Sequence, residues 1–118
     1  MQEKKVCMKR RILCYGDSNT WGFNAMNEKV YGQRFPEDVR WTGRLQTILG
    51  DGWTIIEEGL CGRTTVFDDP LRDGLNGLKY LIPCLASHKP LDYMIIMLGS
   101  NDCKARFCAL PKNIADGL

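Results

Sequence analysis

Three apolar runs in this chain each end in a glycine followed by polar, chemically versatile residues. They are Arg11–Tyr15 before Gly16-Asp17-Ser18-Asn19, Trp53–Glu58 before Gly59-Leu60-Cys61-Gly62-Arg63, and Asp92–Leu98 before Gly99-Ser100-Asn101-Asp102. Short apolar runs closed in this way read as β-strands. Between the first two, Trp41, Leu45, Ile48 and Leu49 fall at helical spacing, and Gly50-Asp51-Gly52 stops them. Between the second and third, Leu75, Leu78, Leu81, Ile82 and Leu85 share one helical face, with Pro83 expected to disturb its last turns. Pro111 suits the first turn of a final helix through Ile114 and Ala115. The order β-α-β-α-β-α predicts an α/β fold with a parallel sheet. All three motifs then emerge at the carboxyl edge of the strands, where open α/β sheets place their ligands.

What the motifs offer at that edge is most of an acyl-transfer site. Ser18 is a hydroxyl nucleophile that needs a base to take its proton. Gly62 lacks a Cβ and so lets its backbone N–H approach a substrate closely. Asn101 adds an uncharged side-chain N–H₂ donor, and the Ser18 N–H is a third. Preorganised donors of this kind stabilise the oxyanion of acyl transfer. Taken singly, Ser18 reads more readily as a helix N-cap, Gly62 as a turn glycine and Asn101 as a cap. Their recurrence after three successive strands favours the catalytic reading. The long connection from Thr20 to Val39 carries Trp21, Phe23, Tyr31 and Phe35. These aromatics either wall a pocket beside Ser18 or close the core.

Composition narrows the alternatives. With 118 residues, 44% hydrophobic and 25% charged, the chain supports one soluble domain. A net charge of +2 gives no reason to expect nucleic acid as a partner. The basic cluster Lys4, Lys5, Lys9, Arg10 and Arg11 reads as a solvated tail over residues 1–10. The apolar stretch behind it is too short for a secretory signal, and no run approaches a membrane span, so a cytoplasmic location and no membrane partner are expected. Six cysteines, Cys7, Cys14, Cys61, Cys84, Cys103 and Cys108, include no Cys-x-x-Cys pair, and His88 is the single histidine. No metal site is therefore expected. Reduced thiols are, with Cys14 and Cys84 as small buried hydrophobes. Strand three is apolar without alternation and reads as buried on both faces. As the last strand of the chain it would lie open at an edge. Residues 1–118 are accordingly expected to be the amino-terminal portion of a single larger domain.

The motifs together resemble those of the SGNH, or GDSL-type, hydrolase superfamily, most closely its arylesterase and acyltransferase branch. The likeness runs through Gly-Asp-Ser-Asn-Thr-Trp-Gly at 16–22, Val-Arg-Trp-Thr-Gly at 39–43 and Glu-Glu-Gly-Leu-Cys-Gly-Arg-Thr-Thr at 57–65. It continues in Asp-Asp-Pro at 68–70 and Ile-Ile-Met-Leu-Gly-Ser-Asn-Asp at 95–102. The resemblance implies a flavodoxin-like three-layer α/β/α sandwich with strand order 2-1-3-4-5, of which this chain holds the first three strands. It implies Ser18 as nucleophile, Gly62 and Asn101 as oxyanion-hole donors and Asp17 as support of the nucleophile turn; Trp21, from its place among the loop aromatics beside Ser18, is the candidate substrate-pocket residue. A small carboxylic ester is the implied substrate, by hydrolysis or acyl transfer, with no cofactor; a homo-oligomer is compatible with it. Asn19 stands where the name-giving motif has leucine.

The family's base is a histidine in an Asp-x-x-His motif, and this sequence contains none. His88, in Ala86-Ser-His-Lys-Pro90, closes the second helix at the opposite edge of the sheet and reads as a surface or helix-terminal residue. The chain alone is therefore expected to be nearly inactive. Competing readings are a non-catalytic acyl- or carbohydrate-binding remnant and a phosphate- or flavin-binding flavodoxin-like module. The latter is disfavoured by Asp17 and by the lack of a phosphate-binding motif. Cysteine catalysis through Cys61 or Cys103 lacks a histidine partner.

Overall fold

The computed structural model describes residues 8–26 and 28–118. Lys4, Lys5 and Cys7 lie outside them. Strands β1 (Arg10–Gly16), β2 (Trp53–Gly59) and β3 (Tyr93–Met97) form one parallel sheet in the order β2-β1-β3. The helices are α1 (Ser18–Trp21), α2 (Trp41–Leu49), α3 (Gly77–His88) and α4 (Pro111–Gly117). β1 starts one residue before its apolar run, at Arg10, whose N–H donates to the Gly52 carbonyl at 3.0 Å. No helix among the described residues is long and apolar enough to cross a membrane.

Register sorts the sheet residues between two faces. Leu13 pairs with Ile56 and Met94, and Tyr15 pairs with Glu58, so these side chains share one face. There Leu13, Tyr15 and Cys84 form the buried core, with Ile56, Leu81, Leu85, Leu91, Met94 and Leu98 packed around it. The Tyr15 hydroxyl donates to the Gly77 carbonyl at 2.5 Å, tying the strand to the start of α3. On the opposite face Cys14 pairs with Glu57. Glu57 accepts from Thr42 Oγ1 of α2 at 2.5 Å and from Arg40 at 3.0 Å. Helices thus cover both faces of an α/β sheet.

One expectation is corrected. The helical face of α3 is Leu81, Cys84 and Leu85, whereas Leu78 is 52% and Ile82 71% exposed; Leu75 is buried, but in the loop before the helix. The helix starts only where Asn76 caps it by accepting from the Leu78 and Lys79 N–H groups. Pro83 does not end it, and α3 runs on to His88 with the proline on its exposed side. As expected of the last strand in the chain, β3 lies open at the sheet edge, with Tyr93, Ile95, Ile96 and Met97 exposed. A neighbour on one side only leaves its apolar side chains open.

Candidate active site

The turn after β1 is built on a buried carboxylate. Asp17 is 2% exposed and caps α1, its Oδ1 accepting from the Asn19 N–H at 3.0 Å. Ser18 is therefore not the cap; it is the first residue of α1, half-buried, and its hydroxyl makes no hydrogen bond among the described residues. A four-residue helix ends at Gly22, whose φ of 96° suits glycine. Beneath it Gly59, the last residue of β2, packs against α1. A Cβ there would lie 2.2 Å from the Trp21 nitrogen.

The second motif is stitched to the first at one atom. The Gly16 carbonyl accepts from the Leu60 N–H at 3.1 Å and from Arg63 Nη1 at 3.1 Å. Arg63 Nη1 also donates to the Glu58 carbonyl at 2.6 Å. This guanidinium is 2% exposed and lies 4.2 Å from the Tyr15 ring centre and 5.2 Å from that of Tyr80. Its Nε has no partner among the described residues. Between rings, the cation meets the negative π faces in place of a carboxylate. Gly62, buried with φ of 87°, directs the loop over the turn.

The third motif closes the set. Asn101 Nδ2 donates to the Arg63 carbonyl at 3.0 Å, and its second amide hydrogen has no partner among the described residues. Asp102, fully buried, accepts from the Thr65 N–H at 3.0 Å and from the Thr65 hydroxyl. Arg106 grips Asp69 through both oxygens, which lowers the Asp69 pKa, with the Leu71 N–H assisting. The segments carrying Gly62 and Asn101 are thereby fixed to each other.

Among the predicted residues, Ser18, Asp17, Gly62 and Asn101 sit on segments after the three strands that these bonds join. Trp21 is half-buried beside them, its carbonyl accepting from Arg34 Nε at 2.7 Å while the Arg34 guanidinium lies 5.0 Å above its ring. Phe23 meets Tyr31 edge-on, 5.2 Å between ring centres. The single histidine, His88, is helix-terminal, the last residue of α3; its Nε2 lies 2.7 Å from Glu58 Oε1, with 27% of its side chain exposed. With Cys84 these groups bring three potential metal donors within 4.8 Å of one another. The His88–Glu58 contact already engages two of them. Burial, first, and the Glu58 charge push the Cys84 thiol up, against ligation. Sequence reasoning missed Arg63, Asp102 and the Glu58–His88 pair. Only the fourfold spacing of Cys84 and His88 on one helix hinted at the last.

The chain as a whole is similar to known proteins. Residues 14–115 match the GDSL-like lipase/acylhydrolase family. A solved carbohydrate acetylesterase from Sinorhizobium meliloti is 53% identical, with a TM-score of 0.88, over 92% of this chain and 51% of that one. An inhibitor-bound aryl esterase from M. smegmatis is 53% identical, with a TM-score of 0.87, over 92% and 50%. An SGNH-hydrolase family esterase at 24% identity and a TM-score of 0.65 shares the fold. The chain spans about half the length of these structures. No curated protein matches it.

Proposed function

The chain belongs to the GDSL-like lipase/acylhydrolase family, and on that premise we propose that it carries the nucleophile and oxyanion-hole half of a serine ester hydrolase. Ser18 attacks the carbonyl of a small carboxylic ester, forming a tetrahedral intermediate and then an acyl-enzyme that passes its acyl group to water or another acceptor. The Ser18 and Gly62 N–H groups and the free Asn101 amide hydrogen receive the oxyanion, each such donor being worth about 10²–10³ in rate. Asp17 holds the turn through its bond to the Asn19 N–H. Trp21 lines the substrate pocket. A small ester suits the resemblance to a carbohydrate acetylesterase and an aryl esterase.

The observation that carries this reading is the shared anchoring of the three motifs: Leu60 and Arg63 on the Gly16 carbonyl, and Asn101 on the Arg63 carbonyl. An oxyanion hole needs its donors held fixed before the reaction begins, and these bonds do that. The base must come from elsewhere, because the one histidine faces Glu58 at 2.7 Å. A site with nucleophile and oxyanion donors alone retains about 10³–10⁴ over water, so the 118-residue chain turns over esters poorly.

The test uses p-nitrophenyl acetate and a fluorophosphonate. The chain and its Ser18→Ala variant should hydrolyse the ester at nearly equal, low rates. Joined to a carboxyl-terminal half bearing an Asp-x-x-His motif, the parent should gain turnover and label on Ser18, and the variant should do neither. Undiminished labelling of the Ser18→Ala protein refutes the assignment.

A further inference from the structure

The space that Gly62 leaves by lacking a side chain is filled by a cation. A Cβ on Gly62 would stand 2.4 Å from Nη2 of Arg72 and 3.0 Å from Leu75 Cδ1. Arg72 Nη2 donates to the carbonyl of the preceding residue, Cys61, at 3.1 Å. Arg72 forms no ion pair within 4.0 Å among the described residues, and its side chain is exposed. Its remaining guanidinium hydrogens are thus open to a ligand beside a candidate oxyanion donor.

The surrounding charges leave that cation unneutralised. Asp68 is taken by Lys79 at 2.9 Å and Asp69 by Arg106 at 2.6 Å. Asp17, buried below, accepts from Asn19. Asp73, next to Arg72 in sequence, is exposed to solvent. On the other flank Arg34, fixed on the Trp21 carbonyl, touches Glu57 only at 4.0 Å. The Cys61 thiol between them registers the same field. Burial raises its pKa, while Arg72 first and Arg34 second pull it back, against a smaller push from Asp17.

Resting on the esterase reading above, we propose that Arg72 selects esters carrying a negative charge a few bonds from the scissile carbonyl, such as monoesters of short dicarboxylic acids. Gly62 then has two duties. It offers its N–H to the oxyanion and makes room for the guanidinium that binds the distal carboxylate. An exposed pair of this kind is worth a modest factor, about 2- to 5-fold in affinity, and it weakens as salt screens it.

The probes are monoethyl succinate and its neutral counterpart ethyl butyrate, titrated into the 118-residue chain and followed by the NMR amide signals of Ser18, Gly62 and the Asn101 side chain. The anionic ester should bind about 2- to 5-fold more tightly at low salt. The preference should vanish in Arg72→Gln, persist in part in Arg72→Lys, and shrink at about 0.3 M salt. Gly62→Ala should lose it as well, because its methyl group evicts the guanidinium. Equal affinity for both esters, or a preference that survives Arg72→Gln, overturns the inference while leaving the esterase reading intact. If neither ester moves the three signals, the esterase reading fails and the inference with it.

Discussion

Replacing Arg63 with methionine tests whether a single buried cation holds the first two motifs together. The substitution keeps an unbranched apolar stem but removes Nη1, which donates to the Gly16 carbonyl at 3.1 Å and the Glu58 carbonyl at 2.6 Å. Hydrogen bonds from a charged group contribute about 1.5–3 kcal/mol each. The Gly16 carbonyl keeps the Leu60 N–H, so its loss falls at or below the lower end. Removing the cation from the Tyr15 and Tyr80 faces costs a further ~1–2 kcal/mol. Against this, methionine needs no desolvation, and it abolishes the unpartnered Nε. The net expectation is a loss of about 2–4 kcal/mol, a large share of the ~5–15 kcal/mol that holds a typical domain. Urea unfolding followed by tryptophan fluorescence should show a lower midpoint at unchanged slope. Arg63→Lys, which keeps the charge between the rings, should fall between parent and Arg63→Met. A loss below ~0.5 kcal/mol in Arg63→Met, the scale of an ordinary surface change, would refute the idea that this guanidinium organises the site.

Two further outcomes follow from close packing and from charge. Gly59→Ala would set a Cβ 2.2 Å from the Trp21 nitrogen and 2.6 Å from the Thr20 carbonyl carbon. Because backbone cannot step aside as a side chain can, a loss of about 1–3 kcal/mol is expected, together with slower Ser18 labelling in the completed enzyme. Gly52→Ala, where nothing lies within 4 Å, is the control and should stay within ~0.5 kcal/mol of the parent. The Arg106 hydrogen bonds, chiefly, and the Leu71 N–H hold the Asp69 carboxyl below its ordinary range. A depressed folded-state pKa adds stability that is present above the ordinary carboxylate value, about 3.9, and is lost as pH falls further towards the folded value. Arg106→Gln should therefore be less stable than the parent at neutral pH. The gap should close below about pH 4; a gap that stays constant through acid unfolding would show that Arg106 acts by packing alone.

Much of the fold was legible because it is written in local pattern. The three apolar runs gave the strands to within a residue or two, and the spacing of Trp41, Leu45, Ile48 and Leu49 gave α2 at Trp41–Leu49. Where the pattern misled, tertiary context had overruled it. Leu78 and Ile82 repeat at helical spacing yet face solvent, while Leu75 is buried without belonging to the helix. Strand β3 reads as interior from its composition and as open from its place as the last strand, and the second reading holds because exposure depends on what lies beside a strand. The candidate site divides along the same line. Ser18, Gly62 and Asn101 are legible because a hydroxyl, a missing Cβ and an amide announce their chemistry by type. Arg63, Asp102 and Glu58 are charged residues that a composition-based reading assigns to solvent. They are captured in the interior by partners 5 to 47 positions away, as in the bonds of Arg63 to Glu58 and Gly16. Those partners come within reach only once Tyr15 stands opposite Glu58 and β3 opposite β1. The groups that would do the chemistry are thus set by residue type, and the groups that would aim them by strand register. A substitution at Arg63 or Gly59 can therefore disable the site while leaving each of its reactive groups in the sequence.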